Sequence, residues 1–403
     1  MINTPFLFKE MSESKRDLAH TTWKRGSAVE ESLYLWKNTP VEFVRTKPLD
    51  KKKPIVVELF CGCGGTTIGL EMAGFCPALG IDILEPALAT FRQTHQTATT
   101  ILGDIKKVDV NRVIELLDGR EVDILAGGFP CQGFSLNNRK RHDADPRNQL
   151  FKQFVRFARA LKPKAVLAEN VSSIRSAAGG DIVKKIIEEL GAAIDSKVEF
   201  EVLNAADFGV PQVRKRMIFL GIQSVIDPFK LIVRTHGTTK NPWVTVSEAL
   251  SDLPSLNAGE TAINYRFKAQ NEFQRIMRQG SSKLIQNHQA PSHPAATIKR
   301  IGSTSPGEPM YSAFKQRIRL HKDRPSPTQV CGGIRPQFQF GHYKESRGLS
   351  IRERARLQSI PDKVLFSGGL VQGRVQTGNA VSPLMAKAIG EAIAQALGIN
   401  LRK

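Results

Sequence analysis

From Pro54 onward the chain alternates short aliphatic runs with amphipathic stretches, and that alternation leaves few folds open to it. Runs at Ile55–Phe60, Ala78–Asp82, Thr100–Asp104, Val122–Ala126 and Lys164–Ala168 read as buried strands. Between them, Thr66–Ala73, Glu85–His95 and Asn148–Leu161 read as helices. In the last of these Leu150, Phe151, Phe154, Val155, Ala158 and Leu161 share one face. Strands and helices taken in turn predict an α/β fold, a doubly wound sheet with helices on both faces.

The rhythm breaks over residues 223–349. This span is rich in Ser, Thr, Pro, Asn and Gln, and pieces such as Ala290–Pro294 and Ser303–Pro309 suit neither regular helix nor central strand. It carries 18 basic against 8 acidic side chains, half of the net +20 of the 403-residue chain. Such an excess favours a polyanionic partner, nucleic acid before an anionic membrane surface. Helical periodicity returns at Ser350–Leu357 and Ser382–Leu397, with Asn379 or Ser382 placed to cap the last helix. Residues 1–53 are polar, with one weak amphipathic segment at Glu30–Lys37, and read as an N-terminal extension.

Five cysteines, at 61, 63, 76, 131 and 331, make an odd count without framework spacing and predict reduced intracellular thiols. Cys61-x-Cys63 has no second Cys/His pair at zinc-finger distance, so no metal is expected. The N-terminus lacks the apolar core of a signal peptide and no run of about 18 apolar residues occurs. A soluble protein with no membrane partner is the expectation.

The polar residues that stand out share a position. Phe60, Asp82, Asp104, Cys131 and Glu169 lie at or just past the carboxyl ends of predicted strands, and in a parallel sheet those ends form one ligand-binding rim. Glu58 to Gly65 joins the first strand to a helix through Gly62, Gly64 and Gly65, which let backbone approach a ligand beside a helix N-terminus. Thr67 stands where the dinucleotide fingerprint has its third glycine, which disfavours a nicotinamide cofactor. Asp82, about 20 residues on, is placed to hold a ribose hydroxyl pair. Cys131 sits in Gly127-Gly128-Phe129-Pro130-Cys131-Gln132-Gly133-Phe134-Ser135, and Glu169-Asn170-Val171 follows 38 residues later. A free thiol is only about 3% ionised at pH 7, so a nucleophilic Cys131 needs help from backbone N–H groups or from cations such as Arg214 and Arg216.

These motifs together resemble the cytosine-C5 DNA methyltransferase family. The likeness runs from Pro54 to about Leu397. Nine motifs follow in the family's order: Glu58–Gly65, Gly80–Asp82, Gly103–Ile105, Gly128–Ser135, Glu169–Val171, Gln212–Arg216, Arg324-Pro325 with Thr328, Arg352–Asp362 and Gly378–Val381. Glu58 departs from the family's usual Asp, and Ile83 from an aromatic that some members stack on adenine.

The resemblance implies a Rossmann-like class I methyltransferase sheet that uses S-adenosyl-L-methionine. Phe60, Cys61, Gly62, Gly64 and Gly65 would touch that cofactor, as would Ile83, Pro130 and Ala380; Asp82 would hold its ribose, Asp104 and Ile105 its adenine, and Asn379 would return to its methionine end. Cys131 would attack carbon 6 of a flipped-out cytosine and leave carbon 5 to take the methyl group. Glu169, protonated or sharing a proton, would engage N3 and the exocyclic amine; Arg216 would hold O2 and Arg214 would brace the loop. Gly133 to Arg147 would close over DNA, with Gln132, Ser135, Asn137, Arg139 and Arg147 as DNA contacts. Arg335, Gln337 and Gln339 alternate as on a strand and are candidates for base edges, although for each taken singly a phosphate or structural contact is the favoured reading.

By the same resemblance residues 54–222 form the catalytic domain and 223–371 a smaller target recognition domain. Residues 372–403 then return to the catalytic domain. The expected partner is double-stranded DNA, bound by a monomer, with a cognate restriction endonuclease acting independently in a prokaryotic, nucleoid-associated cytoplasmic setting. Methylation of transfer RNA by the same chemistry is the nearest alternative, and a catalytically dead DNA-binding relative is disfavoured because Cys131 and Glu169 are both present.

Overall fold

The computed structural model describes residues 39–130, 149–331 and 339–400. Eight strands build one sheet: β1 (Val41–Phe43), β2 (Ile55–Leu59), β3 (Cys76–Asp82), β4 (Thr99–Leu102), β5 (Ile124–Gly127), β6 (Ala165–Val171), β7 (Val198–Asn204) and β8 (Lys215–Ile222). Their order is β1-β4-β3-β2-β5-β6-β8-β7. β2 to β6 run parallel, while β1 is antiparallel to β4 and β8 is antiparallel to both β6 and β7. The expected Rossmann-like α/β sheet forms, with β1, β7 and β8 added to the strands legible in sequence.

Two carboxyl ends of strands differ from expectation by more than one residue. β4 stops at Leu102, which leaves Asp104 in the turn beyond it. β6 runs on to Val171, because its last residues pair with β8 in the register Glu169 to Ile218 and Val171 to Arg216. Glu169 therefore sits within a strand, on a more rigid support than a loop.

Alternation along β2 assigns its neighbours. Ile55, Val57 and Leu59 join a core with Phe154 of α4 (Gln149–Leu161) and Leu190 of α5 (Asp181–Ile194). Val56 faces the other way, toward Leu70 of α1 (Gly65–Met72) and Met385 and Ile389 of α11 (Pro383–Ala396). α2 (Glu85–Thr94) and α3 (Val110–Leu116) complete the layers around β3 and β4.

The contact between α1 and α11 is made by absent side chains. A Cβ on Gly69 would lie 2.3 Å from the Pro383 carbonyl oxygen, and one on Gly65 would lie 2.2 Å from that of Val381. α10 (Gly369–Asn379), just before α11, is thereby brought over the first strand-helix turn. Ser382 stands at the N-cap of α11 but its hydroxyl makes no capping bond, and Asn379 is the last residue of α10, so the expected side-chain cap is not formed.

The span read as irregular holds three short helices, α6 (Val246–Leu250), α7 (Glu272–Arg278) and α8 (Ala295–Ser303), so Ser303 is a helix end rather than loop. The apolar faces of α6 and α7 meet Leu320, Phe340, Leu349 and Leu357 in a separate cluster, while Ile301 of α8 packs apart from it with Met310. α9 (Ile351–Leu357) enters this cluster through a capping box between Ser350 and Glu353 and is buried along its whole length, including Arg352, Arg354 and Arg356. Arg356 pairs with Asp252 at 3.0 Å and Asp362 at 2.6 Å, and Arg347 with Glu353 at 2.7 Å. The Glu30–Lys37 segment lies outside the described residues. No described helix is long and apolar enough to cross a membrane.

Gly69→Ala puts a methyl group into backbone, where overpacking costs about 1–3 kcal/mol against a helix-propensity gain of at most about 1 kcal/mol. A lowered thermal unfolding midpoint is expected; an unchanged midpoint would mean the α1–α11 contact does not limit stability.

Candidate active site

The turn after β2 is held in an unusual backbone. Phe60, Gly62 and Gly64 all have positive φ, at 56°, 53° and 86°. Phe60 adopts this left-handed conformation as a non-glycine residue, strain of a kind found at functional sites. Asp82, the last residue of β3, organises the turn: its carboxylate accepts the Gly62 N–H at 2.8 Å and the Leu84 N–H at 2.8 Å. Burial raises the Asp82 pKa, and those backbone donors hold it down in part.

The two turn glycines do different work. A Cβ on Gly62 would meet nothing within 4 Å, whereas one on Gly64 would lie 2.8 Å from both His95 and Phe91. Gly62 faces a cavity of about 500 Å³; Gly64 does not line it. Gly64 lacks a side chain because His95 and Phe91 pack directly beneath it.

That cavity lies outside the carboxyl ends of β2 to β6, at the point where strand order reverses between β2 and β5. Phe60, Cys61, Gly62, Gly65, Asp82, Ile83, Asp104, Ile105, Pro130, Asn379 and Ala380 all line it, as do Glu169, Arg214 and Arg216. Asp104 also caps the turn that follows, its Oδ1 accepting the Lys106 N–H at 3.1 Å. Arg156 fixes Ile105 by donating to its carbonyl at 2.8 Å.

On the opposite wall Glu169 and Arg216 form an ion pair, 2.8 Å from Oε1 to Nε, both mostly shielded. Gly128 makes room for it, since a Cβ there would lie 3.0 Å from Glu169 Oε2. Asn170 donates from Nδ2 to the Phe129 carbonyl at 3.2 Å, tying the end of β6 to the segment after β5. Phe129 is further anchored against Phe151 and Phe154. Pro130 is thus fixed at the cavity wall. Cys131, Gln132, Ser135, Asn137, Arg139 and Arg147 lie outside the described residues, as do Arg335 and Gln337.

Arg214 is buried and donates to three carbonyls, those of Gln329 at 2.9 Å, Gly378 at 2.8 Å and Ala380 at 3.2 Å. Burial lowers its pKa to about 9. It ties the start of β8 to the C-terminal end of α10. Gln339, read as a candidate for base edges, has both amide atoms committed: Nε2 donates to the Thr328 carbonyl at 2.9 Å, and Oε1 accepts the Val330 N–H at 2.9 Å. It is buried, and its role is to hold residues 328–330.

Sequence reading missed Gln372, Val375 and Gln376, which line the cavity from one face of α10. Their spacing of three and four is the available signal. Cys61 and Cys63 are both buried, and burial pushes the Cys63 thiol up to about 12. Elsewhere His342, Glu345 and Glu353 cluster closely, but Arg347 pairs with both carboxylates, at 2.5 and 2.7 Å, and already supplies the cation.

Comparison with known proteins places the site in context. Residues 55–395 match the family model for C-5 cytosine-specific DNA methylase. The chain is 33% identical over 349 residues to the type II methyltransferase M1.HphI of Haemophilus parahaemolyticus, covering 84% of this chain and 86% of that protein. It is 32% identical to the type II methyltransferase M.DdeI of Desulfomicrobium norvegicum, with 84% and 88% covered. Among solved structures, the Dnmt2 methyltransferase of S. pombe superimposes with a TM-score of 0.57 at 15% identity, over 86% of this chain and 99% of that one. This last likeness speaks for the fold alone.

Glu58, buried under the turn, accepts bonds from the backbone and hydroxyl of Thr67. Burial raises its pKa from 4.5 to about 7. A folded pKa above the unfolded one means that stability present below about pH 4.5 is lost as pH rises to about 7. Glu58→Gln removes the titration, so the stability difference between variant and parent is expected to change by about 3 kcal/mol across that window. Urea unfolding at both ends of the window measures it; a constant difference would mean Glu58 titrates normally.

Proposed function

This chain belongs to the C-5 cytosine-specific DNA methylase family, and from that premise we propose that it methylates a flipped-out cytosine through a covalent Cys131 adduct, with S-adenosyl-L-methionine as donor. It is a DNA cytosine-5 methyltransferase of the type II restriction-modification kind. The observation that carries the finer reading is one cavity shared by Gly62, Asp82, Glu169, Arg216 and Pro130, the residue before Cys131.

The donor's site suits its chemistry. Gly62 leaves open space at the wall, Asp82 and Asp104 offer carboxylate oxygens to hydroxyl and amino groups, and Phe60, Ile83 and Ile105 offer apolar surface to a purine. Asn379 and Ala380 close the methionine end. When bound there, S-adenosyl-L-methionine supplies an electrophilic methyl group for carbon 5.

The chain's own residues do the rest. The Cys131 thiolate bonds to carbon 6 and the ring's electron pair moves toward carbon 5, eased by proton sharing between Glu169 and N3. Arg216, already on Glu169, holds that carboxyl group in the cavity and offers donors to O2. After methylation a base removes the carbon 5 proton, and the sulfur leaves carbon 6 with its bonding pair. The target base must leave the helix to reach this cavity, at a cost of a few kcal/mol. Residues 223–371 are the target recognition domain in this reading, with their basic surplus directed to phosphates. The protein acts as a monomer on duplex DNA, beside an independent endonuclease of the same specificity.

Cys131→Ser is expected to abolish methyl incorporation into DNA while cofactor and DNA affinities stay within a few fold; near-normal turnover would refute the covalent route. Glu169→Gln is expected to slow turnover by about 10²–10⁴-fold, the range for loss of a positioned proton donor, with the fold intact by circular dichroism. An unchanged rate would remove Glu169 from the chemistry. Bisulfite sequencing of DNA from a host expressing the protein reads base and sequence context together.

A further inference from the structure

Arg214 and Arg354 both donate to the backbone at residues 329–330, and Arg374 stands one helical turn before Thr377, the hydroxyl that receives Arg354; none of the three forms an ion pair with a carboxylate among the described residues. Arg354 of α9 is buried, donating from Nε to Thr377 Oγ1 at 3.1 Å and from Nη2 to the Val330 carbonyl at 3.0 Å. Arg214 has only the three carbonyls already described. Arg374 of α10 is half-buried, next to Arg354, and its side chain has no hydrogen bond or ion pair to a described residue.

The rest of α9 makes the contrast. Arg352 lies 3.6 Å from Asp362, and Arg356 is paired to both Asp252 and Asp362. Arg352 and Arg356 are four residues apart and share a face; Arg354 points away from them, toward α10. Two arginines on one helix are neutralised by this chain, and the third is not.

Helix α10 divides in the same way. Gln372, Val375, Gln376 and Asn379 line the cavity, while Thr377 receives Arg354 and Gly378 packs on residue 331, where a Cβ would come within 2.4 Å of the Cys331 nitrogen. Cys331 is exposed, so this junction reaches the surface beside the cavity mouth. Burial and then the Arg374 charge lower the Arg354 pKa to about 9. A buried cation cluster of one sign is costly unless an anion completes it.

We propose that Arg354 and Arg374 form a seat for one phosphodiester of the DNA substrate, reached beside Cys331 next to the cavity that holds Glu169, with the buried Arg214 adding its charge from behind. The planar forks of guanidinium groups match phosphate oxygens, and such contacts fix a duplex in register without reading its sequence. A phosphate held here sets the backbone close to the place where the base reacts. The inference rests on that cavity being where a DNA base is methylated.

Binding of a fluorescent target duplex to the full-length protein, measured over a salt series, tests it. Arg374→Gln is expected to weaken binding about tenfold at low salt and to reduce the slope of log affinity against log salt by about one. Arg354→Met is expected to act in the same direction, and the half-buried Arg374 keeps the test independent of any folding defect in Arg354→Met. Duplexes with single uncharged methylphosphonates locate the contact: the parent protein loses affinity at one or two positions near the target cytosine, and Arg374→Gln is indifferent there. An unchanged slope, or equal sensitivity of parent and variant at every position, overturns the seat. Loss of S-adenosyl-L-methionine affinity with the DNA slope intact assigns the cations to the donor's carboxylate and overturns it as well. If the parent protein binds no duplex at all, the function proposed above falls with it.

Discussion

The structure depends on a close contact between backbones at α1 and α11. Gly65 and Gly69 carry no side chains where Val381 and Pro383 press their carbonyls inward. This allows α10 and the residues after it to lie over the first strand-helix turn, so Asn379 and Ala380 share a cavity with Phe60 and Gly62. A larger residue at either glycine would push the two segments apart. The cavity would then lose its C-terminal wall while the sheet remained whole.

Polar groups in the molecule are satisfied in two distinct ways, and the difference separates scaffold from site. Around α9, arginines meet carboxylates: Arg356 with Asp252 and Asp362, Arg347 with Glu345 and Glu353. Pairing of this kind compensates for burial and fixes geometry. Toward the cavity, Arg214 and Arg354 donate to carbonyl and hydroxyl acceptors and form no ion pair with a carboxylate among the described residues. Glu169, with Arg216, is the carboxylate of the cavity wall with a cationic partner.

Much of the fold was legible because β2 to β6 are buried and read as unbroken aliphatic runs, with glycine or polar residues at their ends. β7 was overlooked although Val198-Glu199-Phe200-Glu201-Val202 alternates apolar with acidic residues, the pattern of a half-buried strand rather than of the continuous aliphatic runs that mark β2 to β6. β1 is three residues long and exists only by pairing with β4. α10 carries Gly369, Gly373 and Gly378 and little apolar face, so its helical state is set by packing. Within the site, the rim positions of Asp82, Asp104 and Glu169 followed from strand ends alone. What each side chain faces did not: Gly64 and Gly62 look alike in sequence, yet one abuts His95 and the other opens on the cavity. Gln339 carried the right periodicity for an exposed strand and is instead consumed by backbone groups nine and eleven residues away.

The closure of the cavity by residues distant in sequence also orders events in time. Gly62 and Asn379 meet across more than three hundred residues, a separation whose loop-closure entropy must be met before the contact yields anything. As the chain leaves the ribosome, its sheet can assemble and its basic middle can emerge while the cavity still lacks Asn379 to Val381. The cavity is therefore the last part of the molecule to be completed, when α10 and the residues after it have been made.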